Sequence, residues 1–213
     1  IYWTRPLPSW RYPYPEQHAC VHEKLKKAQK EFEKSNFNWY TGPDCAELLI
    51  VTSGTGWLYA LDAVDMLRLE GRVGILKLGT TWPIPEKFAG RHLKRNSEIL
   101  IVEETDPFLE QNLKILAAEL GLRTKFYGAK SGHFQGRGGP SAGDIDTDSV
   151  INALVKILKV RYASRDRGYI ENAKRLAASV PRREPAFCPG CPYRASFWAI
   201  KTALMLDGRD GVV

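Results

Sequence analysis

Three short apolar runs, Leu48–Val51, Val73–Leu78 and Ile99–Val102, begin 25 and 26 residues apart, and no other feature of the chain restricts its fold as strongly. None of them alternates polar with apolar residues, which is how strands covered on both faces read. Helical patterns fill the gaps. Trp57, Leu61, Val64 and Leu67 make one apolar stripe, with Gly71 placed as a C-terminal cap. Asp106-Pro107 reads as an N-cap followed by a proline at the first helical position. Leu109, Leu113, Leu116 and Leu120 then form a second stripe that Gly121 ends. The order β-α-β-α-β-α, joined by right-handed crossovers, predicts an α/β fold: a three-layer parallel sheet with helices on both faces. Thr124–Tyr127 is a further strand candidate, and a helix is expected from about Thr147 to Val160.

The flanks read differently. Residues 1–17 are crowded with Pro, Trp and Tyr, so an extended arm is expected there rather than a helix. Ala19 to Lys34 turns charged and helical, with Val21, Leu25, Ala28 and Phe32 as its apolar positions. Residues 161–180 carry five Lys or Arg and a weak helical period, which suits a connector, and the Pro181–Pro185 stretch marks a boundary. The division expected is therefore residues 1–35 (arm and charged helix), 36–160 (sheet domain), 161–180 (helical connector) and 181–213 (start of another domain). Ile1 is not a natural start residue, and Gly211-Val212-Val213 reads like the opening of a buried strand. An internal piece of a longer protein is expected.

A net charge of +7 invites a nucleic-acid reading. Its distribution argues against one. Residues 1–146 hold 19 Lys/Arg against 18 Asp/Glu, and residues 147–213 hold 12 against 6. The excess sits in the tail, mixed with acids and without aromatic–basic interleaving, so a partner surface or an anionic cofactor explains it equally well. No apolar run is long enough to span a bilayer, so no membrane partner is expected. Four cysteines are too sparse for a secreted disulfide framework and point to a reducing, cytoplasmic setting.

Ligands of parallel sheets bind beyond the carboxyl ends of the strands. Here those ends read Thr52-Ser53-Gly54-Thr55-Gly56, Gly79-Thr80-Thr81-Trp82-Pro83 and Glu103-Glu104-Thr105-Asp106. The first falls short of G-x-G-x-x-G because Tyr59 occupies the third glycine position, so Gly54 and Gly56 read as a tight turn, with a small anion at the helix start as the alternative. Glu103 and Glu104 read as acids that favour the following helix dipole rather than as a general acid or base. His18, Cys20 and His22 place two histidines one turn apart on a helix with the thiol on another face, which reads as a surface helix. The loop Gly132–Pro140 could wrap a phosphate or simply bend. No catalytic residue is assigned.

The sharpest chemical signal is Phe187-Cys188-Pro189-Gly190-Cys191-Pro192-Tyr193-Arg194, followed by an apolar helical run. Prolines and a glycine hold two thiols on irregular backbone, where both can point at one centre. Cys188 and Cys191 are thus candidate metal ligands, with an iron–sulfur cluster, zinc and a redox disulfide all open.

Together with that segment, Ser35–Asn38, Thr52–Gly54, Leu76–Lys87 and Val102–Glu110 resemble, in order, the large subunit of indolepyruvate ferredoxin oxidoreductase. That enzyme belongs to the thiamine diphosphate-dependent 2-oxoacid:ferredoxin oxidoreductases. The resemblance implies that residues 36–160 are like the C-terminal domain of transketolase and that residues 181–213 open the thiamine diphosphate domain. It assigns cofactor binding to Cys188, Gly190, Cys191 and Arg194. Tyr193 stands where the family usually has histidine. Oxidative decarboxylation of a 2-oxoacid is implied, using thiamine diphosphate, Mg2+ and a 4Fe-4S cluster. Coenzyme A takes the acyl group, and the implied partners are a small beta subunit and ferredoxin. A piece lacking the rest of the cofactor site is expected to be inactive.

Overall fold

The computed structural model describes residues 14–136, 144–162, 165–181 and 187–208. The chain divides into two compact units, Ile1–Tyr162 and Ala163–Val213.

The first unit is a five-stranded sheet in the order β1-β3-β2-β4-β5. The apolar runs form its centre as β2 (Leu48–Thr52), β3 (Val73–Lys77) and β4 (Glu98–Val102). They pair in parallel, with Ile50 opposite both Ile75 and Leu100. β5 (Lys125–Tyr127) extends the parallel set beside β4. Because side chains alternate across a strand, each run feeds two cores. Leu48, Ile50, Val73, Ile75, Leu100 and Val102 pack on one face with α2 (Gly56–Met66) and α5 (Thr147–Leu158). Leu49, Val51, Leu76, Leu78, Ile99 and Ile101 pack on the other with α3 (Glu86–Arg95) and α4 (Phe108–Glu119). The expected three-layer arrangement is observed.

One strand went unforeseen. β1 (Trp39–Thr41) lies antiparallel along the outer edge of β3, with Trp39 opposite Lys77 and Thr41 opposite Ile75. It fits there because Gly74 leaves room for the Tyr40 ring; a Cβ on Gly74 would come within 2.5 Å of the Tyr40 hydroxyl oxygen. Three half-exposed residues carry too little period for a sequence pattern to reveal.

Helix ends supply further corrections. Tyr14–Gln17 are not extended but open α1 (Tyr14–Phe32). Pro15 is tolerated because a first-turn residue has no intrahelical N–H bond to lose. Residues 1–13 of the expected arm, like Arg182–Pro185 of the expected boundary, lie outside the described residues. Gly71 does not cap α2. Arg68 takes the left-handed turn instead, at φ 56°, and the Leu69 N–H reaches back to the Val64 carbonyl at 2.9 Å. Leu69 and Val64 are both buried in the same core cluster, the apolar pairing that commonly accompanies a Schellman end. Gly121 does end α4 as expected, with φ 65° and the Leu122 N–H on the Ala117 carbonyl at 2.9 Å.

The second unit contains α6 (Arg167–Ser179) and α7 (Pro192–Asp207). Asp166 caps α6 through the Tyr169 N–H, and Gly208 ends α7 in the left-handed region. Neither helix has a buried residue.

Candidate functional site

From β2 the chain crosses to β3 on one side, and from β4 it crosses to β5 on the other. The connections diverge between β2 and β4, and such switch points open a crevice at the strands' carboxyl ends. Here a cleft of about 440 Å³ is lined by Ser53, Gly54, Thr55, Thr81, Glu103, Glu104, Asp106 and Phe108, among others.

The Ser53–Gly56 turn is tight for a steric reason. A Cβ on Gly56 would lie 2.3 Å from the Thr52 hydroxyl oxygen and 3.2 Å from the Val102 carbonyl oxygen, so α2 can start this close to β2 and β4 only with glycine. Gly54 adopts φ 57°. The Thr55 hydroxyl donates to Glu104 at 3.2 Å. With Glu103, Glu104 and Asp106 around the cleft and no Lys or Arg in its lining, the tight-turn reading is favoured over the anion site.

Glu103 has a specific task. Its carboxylate accepts the Leu109 N–H at 2.6 Å and the Glu110 N–H at 3.0 Å, satisfying two donors in the first turn of α4. Asp106, the expected cap, makes no such bond, and Pro107 stands at the cap position. Burial raises the Glu103 pKa, and the N–H donors of Glu110 and Leu109 pull against that rise. α3 repeats the device. Pro85 is its cap residue, and Glu33, far away in sequence, accepts the Lys87 and Phe88 N–H groups, each at 2.8 Å.

The loop after β3 is held from the same side. The Asn38 carboxamide oxygen accepts from the Gly79 N–H at 2.9 Å and the Thr80 N–H at 3.1 Å, while its NH2 donates to the Phe32 carbonyl at 2.8 Å. Gln29 donates to the Ile84 carbonyl at 2.9 Å. These bonds fix the loop that brings Thr81 to the cleft and sets the exposed Trp82 ring 6.0 Å from Phe108. Beside it, Trp39 and Trp57 lie 5.1 Å apart with the Lys77 ammonium over Trp57. Sequence reading missed Asn38, Glu33 and Gln29 as organisers, because their partners lie six to more than fifty residues away.

The remaining candidates are on other elements. In the second unit, Cys188 is exposed and Cys191 half-buried, both free thiols. They bracket one turn: the Cys191 N–H meets the Cys188 carbonyl at 3.0 Å, and Gly190 between them has φ 77°. Pro192 then begins α7, and the Arg194 N–H bonds the Cys191 carbonyl at 3.1 Å. In the first unit, His18, Cys20 and His22 are all exposed on α1. Of the Gly-rich loop, residues 132–136 are described: Phe134 is buried in the core, and His133 packs on Tyr127. That part serves packing; Arg137–Pro140 lie outside the described residues. Among the described residues, no group of three or more His, Cys, Asp or Glu could hold a metal ion, and no helix is long and apolar enough to cross a membrane.

Residues 46–135, which carry β2 through β5, match the family described as pyruvate:ferredoxin oxidoreductase core domain II. Over 190 residues, 87% of this chain, the sequence is 32% identical to indolepyruvate oxidoreductase subunit IorA of Thermococcus kodakarensis. The resemblance read from the motifs is borne out. The chain spans 28% of that relative's length. Among solved structures, 2-oxoglutarate:ferredoxin oxidoreductase from Magnetococcus marinus aligns with 67% of this chain and 23% of its own (TM-score 0.48, 16% identity). A split-gene transketolase aligns with 58% of this chain and 43% of its own (TM-score 0.43, 16% identity).

Proposed function

From the core domain II match, we propose that this chain is a segment of a thiamine diphosphate-dependent 2-oxoacid:ferredoxin oxidoreductase. Its substrates are aryl pyruvates such as indolepyruvate. The similarity to an indolepyruvate oxidoreductase subunit over 87% of the chain carries the proposal. In the reaction the 2-oxoacid loses carbon dioxide, its acyl group passes to the sulfur of coenzyme A, and the electrons released leave singly to ferredoxin. Bound thiamine diphosphate with Mg2+ would supply the decarboxylating chemistry, and a 4Fe-4S cluster the electron path. A cytoplasmic setting, a small beta subunit and ferredoxin complete the picture.

This chain's own residues take two roles in that scheme. The sheet unit is a rigid support whose cleft rim is fixed by Asn38, Glu33 and Glu103. The turn at Cys188, Gly190, Cys191 and Arg194 belongs to the cofactor domain. Two free thiols on one turn, with glycine in the left-handed region between them, fit half of a thiolate cluster site. Alone, the segment is inactive.

A second reading has its own observation. α7 exposes Tyr193, Phe197, Trp198, Ile200, Met205 and Leu206, a surface suited to docking rather than chemistry. Cys188→Ser in the full-length subunit, assayed with its beta partner for indolepyruvate- and coenzyme A-dependent ferredoxin reduction, separates the two. Loss of electron transfer with thiamine diphosphate still bound supports cluster ligation. Unchanged activity makes the segment a docking module.

A further inference from the structure

Along the first half of α1 every described residue from Pro15 to Lys24 is exposed. The other end of the same helix holds the β3–α3 loop through Gln29, and Glu33, in the turn just after it, caps α3. Helical turns without tertiary contacts are marginal in water, so the first half of α1 depends on its own side chains for support.

Those side chains include an unusual pair. His18 and His22 stand one turn apart, their rings meet edge to face with centroids 4.4 Å apart, and their Nε2 atoms lie 2.9 Å apart. Two neutral imidazoles make such a contact when one Nε2 carries hydrogen and the other accepts it. A divalent metal ion could replace that shared hydrogen and bind both nitrogens once each ring has turned its lone pair towards it. Nitrogens bound at about 2.05 Å stand about 2.9 Å apart when the N–metal–N angle is square, and about 3.3 Å apart when it is tetrahedral. The observed spacing matches the square case, the geometry of Ni2+ and Cu2+. Cys20 sits about 200° around the helix from His18 and cannot join. Lys26, next in the i, i+4 series, is paired with Glu23 at 3.0 Å.

We propose that His18 and His22 form a two-histidine surface site for a tetragonal divalent transition-metal ion, completed by water, which staples the exposed first half of α1. The ion binds only the folded helix, so it should raise helicity and protection there by mass action.

The test is calorimetric titration of Ni2+ into the 213-residue chain carrying Cys188→Ser and Cys191→Ser, so that the thiolate pair cannot compete, followed by hydrogen exchange of α1. Expected is one Ni2+ per chain, with His18→Ala and His22→Ala each weakening binding at least roughly tenfold, since disturbing even the outer partners of a metal ligand costs about that much. Cys20→Ser should leave binding unchanged. Slower exchange over residues 16–22 should accompany saturation. Binding unaltered by either histidine variant overturns the proposal, and so does saturation without slower exchange in α1.

Discussion

The two units of this chain bury their apolar residues to opposite extents. In the sheet unit, β2 is sealed along its whole length, and Ile50 is 0% exposed. In the second unit α7 has a comparable supply of large apolar side chains, yet Trp198 is 69% and Leu206 85% exposed. Large apolar side chains are present in both. What differs is the presence of a facing layer: the sheet has helices on both sides, whereas no described residue of α7 is buried. Such a helix acquires stability from what covers it, not from propensity.

Truncation should separate the units most sharply. Ile50→Ala should cost about 2–5 kcal/mol in urea unfolding of the isolated chain, the usual loss for emptying a packed core site. Trp198→Ala should shift that same transition by less than about 0.5 kcal/mol, as exposed substitutions do. An equal loss at both positions would break the contrast.

Next in size is Asn38→Ala, which strands the Gly79 and Thr80 N–H groups without their acceptor. A loss of about 1–3 kcal/mol is expected in chemical unfolding, along with faster hydrogen exchange at residues 79–82. Glu33→Ala and Glu103→Ala should each cost about 1 kcal/mol, as lost caps do. Their effects should add, since they serve different helices.

The smallest effect is one of pH. The folded pKa of Glu103 is raised by burial, so the folded state keeps that proton to higher pH than the unfolded chain does. Its contribution is fully present below the ordinary glutamate pKa and is lost as pH rises through the raised folded value. Glu103→Gln should flatten that decline in a series of unfolding curves. A decline just as steep in the variant would mean another group causes it.

The parts legible in the sequence were those written in contiguous residues. Leu48–Val51, Val73–Leu78 and Ile99–Val102 announce buried strands because burial on both faces leaves no polar position to interrupt them. Glycine at 121 announces its helix end for a local steric reason. β1 stayed hidden because an edge strand of three residues is defined by its neighbour, Val73–Lys77, and not by its own pattern. The cap on α3 stayed hidden because Pro85 supplies no side-chain acceptor and Glu33 is close only in three dimensions. On α4 the acid at Glu103 was legible as favouring the helix start, but its direct bonds to the Leu109 and Glu110 N–H groups, in place of an Asp106 cap, were not. Of the candidate site, the turn at Cys188 and Cys191 was legible as a pair. Among the described residues nothing joins the pair in a group that could hold a metal ion, so the chemistry proposed for it rests on sequence similarity rather than geometry.

Hydrogen exchange, read by mass spectrometry on this chain and on the full-length subunit with thiamine diphosphate and Mg2+, tests the account most directly. β2, β3 and β4 should be protected equally in both, while the amides of Tyr193–Leu206 exchange quickly in the isolated chain and slowly in the loaded subunit. Slow exchange of α7 in the isolated chain, or no change on going to the full-length protein, would contradict a cofactor domain completed from beyond these residues.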